Sequence, residues 1–417
     1  MSRSINRLVV ALTLIVTLFL LTFGVTPPVA YAHGPHAGRL LVADAQTGGL
    51  TVVDLQHGRS VAFFSTPGPV TGVYTTVSGQ FGFAVHRDAN RVTVVYGGLR
   101  TEKHGDHDDL VVEAPYVMAT VNTGPRPTHF TSHGKWSAIY NDGDGTVALF
   151  NEEQFEPFVR FSRFPTTGPD HGVAVVIGGV AVLGEVVLVG SLNLGRVDVY
   201  TLDGRLIRSF EGCPRLHGEA VHGDVVAFGC ADGVLLIENR QGSLEARKLL
   251  NPSGTPSNVR VGTLVAHKDV PHFIGNFGQG LVFINPLSNT MTPVPLPARL
   301  LRFGVDLEGK ALVALTADGK LHVLDPRTGV ARSQLDAVSP WPGGANPRPG
   351  LALGEEVAYV SDPPTGDVVE VDLEGLRITR RISVGGAPTS LTMLPAPEGQ
   401  VHGGMNTAGK NVSEAVF

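Results

Sequence analysis

One hairpin signature recurs eight times along this chain, and nothing else in the sequence restricts the fold so strongly. Each instance is a short apolar strand, a polar turn rich in Gly, Asp or Asn, and a strongly alternating strand. The instances are Leu41–Leu55, Phe83–Val95, Ala138–Phe150, Val187–Tyr200, Ala227–Ile237, Phe273–Asn285, Leu312–Asp325 and Ala358–Asp372. The turn residues tolerate positive φ, and a period of two makes half-buried strands. The signature returns every roughly 40 to 55 residues, the spacing of propeller blades. Each hairpin then supplies the second and third strands of a four-stranded blade. The expectation is an all-β fold: a single β-propeller of eight blades, or seven if one hairpin is decorative. The first hairpin lacks a preceding inner strand, while the apolar stretch Pro388–Leu394 is left over at the other end. Pairing those two closes the ring within a blade shared by both termini and leaves no exposed edge. The propeller is expected over 39–395, with 396–417 a disordered tail.

Ahead of the repeats, Arg3 and Arg7 precede an uncharged apolar run, Leu8–Phe23, and Ala30-Tyr31-Ala32 offers a small-x-small cleavage site. This reads as a secretory signal peptide over 1–32, too short and too promptly followed by Pro27-Pro28 to be a span. No Cys lies at the cleavage site, so no lipid anchor is expected there. A periplasmic or otherwise exported protein follows, with no membrane insertion after cleavage. Loss of the two arginines takes the formal charge from -6 to -8. That acidity excludes an electrostatic footprint for nucleic acid. Cys213 and Cys230 are the two cysteines. In an oxidising compartment they are expected to form one disulfide, with thiolate metal ligation as the alternative.

The histidines carry the chemistry. His104-Gly105-Asp106-His107-Asp108-Asp109 packs two imidazoles and three carboxylates into six residues. His104, His107 and Asp109 suit a divalent transition metal, while a solvated acidic loop is the plain alternative. The segment falls between the third and fourth strands of blade two, in a connection far longer than a hairpin needs. By strand order it emerges opposite the face that carries the connections into the inner strands, so it either folds over an edge to complete a site there or forms a second one. His129, His171 and His217 sit in those connections in three consecutive blades. Neighbouring blades set equivalent positions side by side, so the three rings can converge at the channel mouth, which with one more donor is a tetrahedral zinc site. They can equally be packing residues. His133, His222 and His267 align at turns on the other face, His86 is a weak further candidate, and His57, His272, His322 and His402 stand out in no way. His33 and His36 fall in a short flexible segment, 33–38, at the mature N-terminus and form a third metal-seeking element.

The segments HGPH, HGDHDD, PTHFTSHG, DHGVAV and CPRLHGEA…VAFGCADGVLL together resemble the periplasmic zinc metallochaperones of the AztD type, over nearly the whole mature chain. The resemblance implies a β-propeller that binds zinc tightly and delivers it to the solute-binding protein of a zinc-uptake ABC transporter, without catalysis. Carried over, His104 and His107 are the foremost ligands and His129, His171 and His217 their partners. A departure is the N-terminus, with two histidines where a denser tract is expected. On this reading the protein is a monomeric carrier, with an acidic surface and mobile termini guiding docking. Two other classes compete. A lactonase-like metal hydrolase would keep an open metal position beside a base such as Glu219, and a metal-free interaction propeller would use its histidines for packing. Trp136 and Trp341 are too few for a quinone-dependent dehydrogenase. Copper also suits imidazole and would bind at least as well as zinc in vitro.

Overall fold

The computed structural model describes residues 38–396 apart from 106 and 345. The expected signal peptide, His33, His36 and His402 lie outside the described residues. Every recurring hairpin becomes the middle of a four-stranded antiparallel sheet, giving eight such sheets. Alternation makes this possible: in the hairpin of blade three, for example, Trp136–Asn141 pairs with Thr146–Asn151 in unbroken register. One short 3-10 turn, Glu152–Gln154, is the helical element among the described residues.

The sheets close into a ring through their faces. Eight buried apolar clusters each straddle a pair of neighbouring blades. One packs Phe83 and Val94 of blade two against Ile139 and Phe150 of blade three. Another packs Val186 and Leu188 of blade four against Phe228 and Leu235 of blade five. The cluster that completes the circle joins Tyr359 and Val368 of blade eight to Leu40, Val53, Leu391 and Met393 of blade one. Blade one is built from both ends of the chain, because Pro388–Pro395 is its inner strand and pairs with Gly38–Asp44. The eight-bladed ring with a shared blade is therefore present as read from the repeats, and the seven-bladed alternative falls.

Strand order fixes two faces. In a four-stranded antiparallel blade, the second-to-third turn and the connection into the next inner strand emerge at one end. The first-to-second and third-to-fourth connections emerge at the other. Backbone bonds tie the first set together: Asp142 N–H donates to the Arg126 carbonyl at 3.0 Å and Ala231 N–H to that of Pro214 at 2.7 Å.

Candidate metal centre

Three consecutive blades each deliver one imidazole to the first of those faces. His129 is the third residue of the blade-three inner strand, Pro127–His133, where the register shifts between Pro127 and Phe130. His171 immediately precedes the blade-four inner strand, Gly172–Val180, and His217 lies two residues before Glu219–His222 of blade five. His129 thus belongs to the strand itself rather than to the connection before it. Local bonds hold the other two. The Asp170 carboxylate accepts from the N–H of His171 at 2.7 Å and from the side chain of Asn193 at 2.7 Å. His217 N–H donates to the Gly229 carbonyl at 3.0 Å.

The rings meet with centroids 4.7 Å apart for His129 and His171 and 5.1 Å for each of the other two pairs. One ligand nitrogen from each lies within 4.8 Å of the others, and Nε2 of His129 is 3.0 Å from Nε2 of His171. Tetrahedral coordination with Zn–N near 2.0–2.1 Å needs nitrogens about 3.3 Å apart, so small rotations would seat an ion. The outward nitrogens are already engaged. His171 Nδ1 is 2.9 Å from Asp142 Oδ2, and His217 Nδ1 is 2.6 Å from the Gly262 carbonyl oxygen. A carbonyl only accepts, so His217 carries its proton on Nδ1 and keeps the Nε2 lone pair for a metal. The Asp142 carboxylate imposes the same tautomer on His171.

Burial sets the charge state. His129 and His217 are 7% and 6% exposed, while the His171 side chain is 29% exposed and forms the open edge of the cluster. Desolvation holds His129 well below the usual imidazole range, with the positive potential of His217, His171 and Arg87 adding to it. Burial also pulls His217 down to about 4, against the opposing hydrogen bond to Gly262. Both are neutral at ordinary pH, the state that coordinates metal.

Gly218 makes the approach of blades five and six possible. Its φ is +73°, and a Cβ there would stand 2.5 Å from the Gly262 oxygen that fixes His217. Behind it, Cys213 and Cys230 form a disulfide that joins the connection leading to His217 to the end of the blade-five second strand. With both sulfurs in that bond, the thiolate-ligand alternative falls away.

The remaining sequence-marked residues go elsewhere. His104, His107 and Asp109 lie in a two-stranded hairpin, Leu99–His104 paired with Val112–His107, inserted between the third and fourth strands of blade two. It is a regular hairpin, not the irregular loop expected from its charges, and its register sets His104 directly opposite His107 and Asp109 opposite Glu102. Strand order places it at the end of the ring opposite the trio, so the structure does not bring the two groups together. Its base is pinned by Arg39 of blade one, whose guanidinium donates to the Glu113 carbonyl at 2.9 Å. His86 spends both nitrogens internally, 3.0 Å from the Gly68 carbonyl and 2.9 Å from Thr93 Oγ1. Glu219 is buried, and desolvation pushes its carboxyl up to about 8. Asp142 escaped the sequence reading because its NDGDG context looks like any hairpin turn; the presence of a carboxylate in the turn beside a channel histidine was the available signal.

This geometry has a counterpart. The zinc chaperone AztD of Citrobacter koseri is 29% identical over 88% of both chains. Its crystal structure superposes with a TM-score of 0.78 at 28% identity, covering 86% of this chain and 97% of that one, and its apo form does so at 0.77. The chain is AztD-like. No family model matches it. A dihydro-heme d1 dehydrogenase, NirN, shares the fold at a TM-score of 0.61 and 13% identity, a likeness of architecture alone. The AztD resemblance read from the histidine-bearing segments thus holds along most of the sequence.

Proposed function

We propose that this chain is a zinc chaperone of the periplasm: it binds Zn2+ and passes it to the solute-binding protein of a zinc-uptake ABC transporter. The convergence of His129, His171 and His217, with Asp142 and Gly262 orienting two of them from behind, carries the reading. Three imidazoles fill all but one position of a tetrahedral ion, and the last is free for a donor from the acceptor. His171, at the open edge, is the ligand an incoming donor reaches, so exchange can proceed without releasing the ion to water. His104, His107 and Asp109 on the opposite end supply a second, separate place of capture.

No catalytic role is assigned. The hydrolase alternative needs an ionised base beside the metal, and the burial of Glu219 keeps its carboxyl protonated at neutral pH. Among the described residues no helix is long and apolar enough to cross a membrane.

Zinc titration of the mature protein tests the assignment. A His129→Ala/His217→Ala variant should lose the tightest site, and a His104→Ala/His107→Ala variant should keep it while losing a weaker one. The wild type should load an apo solute-binding protein faster than it yields zinc to a dilute chelator. Equal zinc affinity in the trio variant, or zinc-dependent turnover on a lactone and ester panel, would defeat the proposal.

A further inference from the structure

An arginine recurs just ahead of the inner strand in five blades: Arg126, Arg215, Arg260, Arg299 and Arg348, in blades three, five, six, seven and eight. All five connections emerge on the face that holds the histidine trio, and each arginine falls near the point where the chain turns down into the channel wall. Arg87, from the second-to-third turn of blade two, joins them through its bond to Thr128 Oγ1 at 3.2 Å. Arg126, Arg215 and Arg299 are exposed. At the opposite end of the ring arginines are commonly matched with carboxylates, as in Arg240–Glu238, Arg332–Asp325 and Arg377–Asp372. At this mouth the pattern differs. Arg87 shares Asp142 with His171 at 3.4 Å, but among the described residues no carboxylate lies within ion-pair distance of Arg126, Arg215, Arg260 or Arg299. Arg299 and Arg348 instead flank Trp341, with guanidinium carbons 5.4 and 5.8 Å from the ring centroid. Arg260 donates to the Arg215 backbone carbonyl at 2.8 Å and lies near enough to feel the Arg215 charge and to act on His217.

We infer that this arginine rim is the docking surface for an acidic face of a protein acceptor. The inference rests on the chaperone reading and adds which end of the ring engages and what sign its partner bears. A chain of net charge -6 leads one to expect an acidic docking surface; among the described residues, the connections into the inner strands carry instead five arginines and one carboxylate, Asp170. Like cations held together cost free energy unless an anion covers them, and fixed charges around a cleft steer an oppositely charged partner. Blades three and seven face each other across an eight-membered ring, so Arg126 and Arg299 are too widely set to share one small anion. A protein surface spans them. Its carboxylates would arrive directly over the edge at which His171 is open.

The test uses the full mature chain. Association with an apo zinc-binding solute-binding protein and with poly-L-glutamate is followed by biolayer interferometry at about 0.02 M and about 0.3 M salt. The wild type is compared with Arg126→Glu/Arg215→Glu/Arg299→Glu and with Arg59→Glu/Arg160→Glu/Arg240→Glu. The second triple makes the same charge change at exposed sites toward the other end. Zinc affinity by chelator competition and thermal melting are measured on each, and Arg→Gln at the three rim positions substitutes if the reversed rim variant fails to fold. The rim variant should associate with both probes at least about 10-fold more slowly at low salt, with a flattened salt dependence and unchanged zinc affinity. Wild-type rates in the rim variant, or equal slowing in the control triple, overturn the inference. So does stoichiometric citrate binding that blocks poly-L-glutamate, which would make this a small-anion site. If the wild type binds both probes through the rim yet passes no zinc, the transfer reading fails and the rim stands.

Discussion

At the scale of single residues, the centre is built from groups whose proton affinity burial has moved. His129 and His217 have folded-state pKa values below the ordinary 6.5, and Glu219 has one above its ordinary 4.5. The two shifts pull stability in opposite directions. Between pH 6.5 and about 4 the unfolded chain takes up a proton that folded His217 refuses, so the metal-free protein loses stability as pH falls through that window, and His129 acts in the same direction. From pH 4.5 to about 8 the unfolded chain releases a proton that folded Glu219 keeps, so stability is lost as pH rises. Each group contributes a slope of at most about 1.4 kcal/mol per pH unit within its window. We therefore expect Glu219→Gln to be more stabilising at pH 8 than at pH 5 in denaturant melts, and a constant offset would show that the carboxyl is not held neutral. The trio was legible from primary order because each member falls within three residues of the start of an inner strand in consecutive repeats. Asp142 and the Gly262 carbonyl were not, since a turn carboxylate and a backbone oxygen acquire their role only when blades stand side by side.

At the scale of elements, the eight hairpins announced themselves because turn chemistry and period-two alternation agree in each. The inserted hairpin of blade two hid for the opposite reason. In LRTEKH and HDDLVV, charges occupy so many positions that alternation is lost, although the backbone still pairs residue for residue from Leu99–Val112 to His104–His107. Some inner strands are very short, Leu264–Val265 and Leu351–Leu353 among them, and their boundaries follow from contact with neighbours rather than from their own sequence. At the blade-five connection, the left-handed Gly218 and the Cys213–Cys230 bond together set where His217 points. Gly218→Ala places a methyl group against the Gly262 oxygen and strains a positive φ, at a cost on the order of 1–3 kcal/mol. Its effect on zinc should be the sharper sign, with affinity falling about 10- to 100-fold as His217 loses its orienting bond. Isothermal titration of a variant that remains folded reads this directly, and unchanged affinity would mean that His217 is not held through Gly262.

At the scale of the whole molecule, the ring makes remote residues interdependent. Each blade buries one face against each neighbour, so opening a single seam exposes two apolar surfaces and the unpaired edge of a strand. The seam most open to test is the one closed by Pro388–Pro395, which joins residues more than three hundred positions apart in sequence; Arg39, for instance, faces Leu394. Leu391 and Met393 pack toward blade eight and Leu394 toward blade two, so this strand fills both interfaces of blade one. Ending the chain after Ser383 removes three buried side chains worth about 1.5–3 kcal/mol each and bares the Gly38–Asp44 edge, a sum of the order of a domain's whole net stability. The truncated protein should aggregate or elute as an expanded species, and saturating zinc should not rescue it. The reason is position: the histidines clamp blades three to five, and an ion there adds at most about 4 kcal/mol at a thousandfold excess over its dissociation constant without touching the open seam. Size-exclusion chromatography with and without zinc decides the matter. A compact truncated monomer would mean that the seam between the termini is dispensable and that the closed ring is not what holds the metal centre in shape.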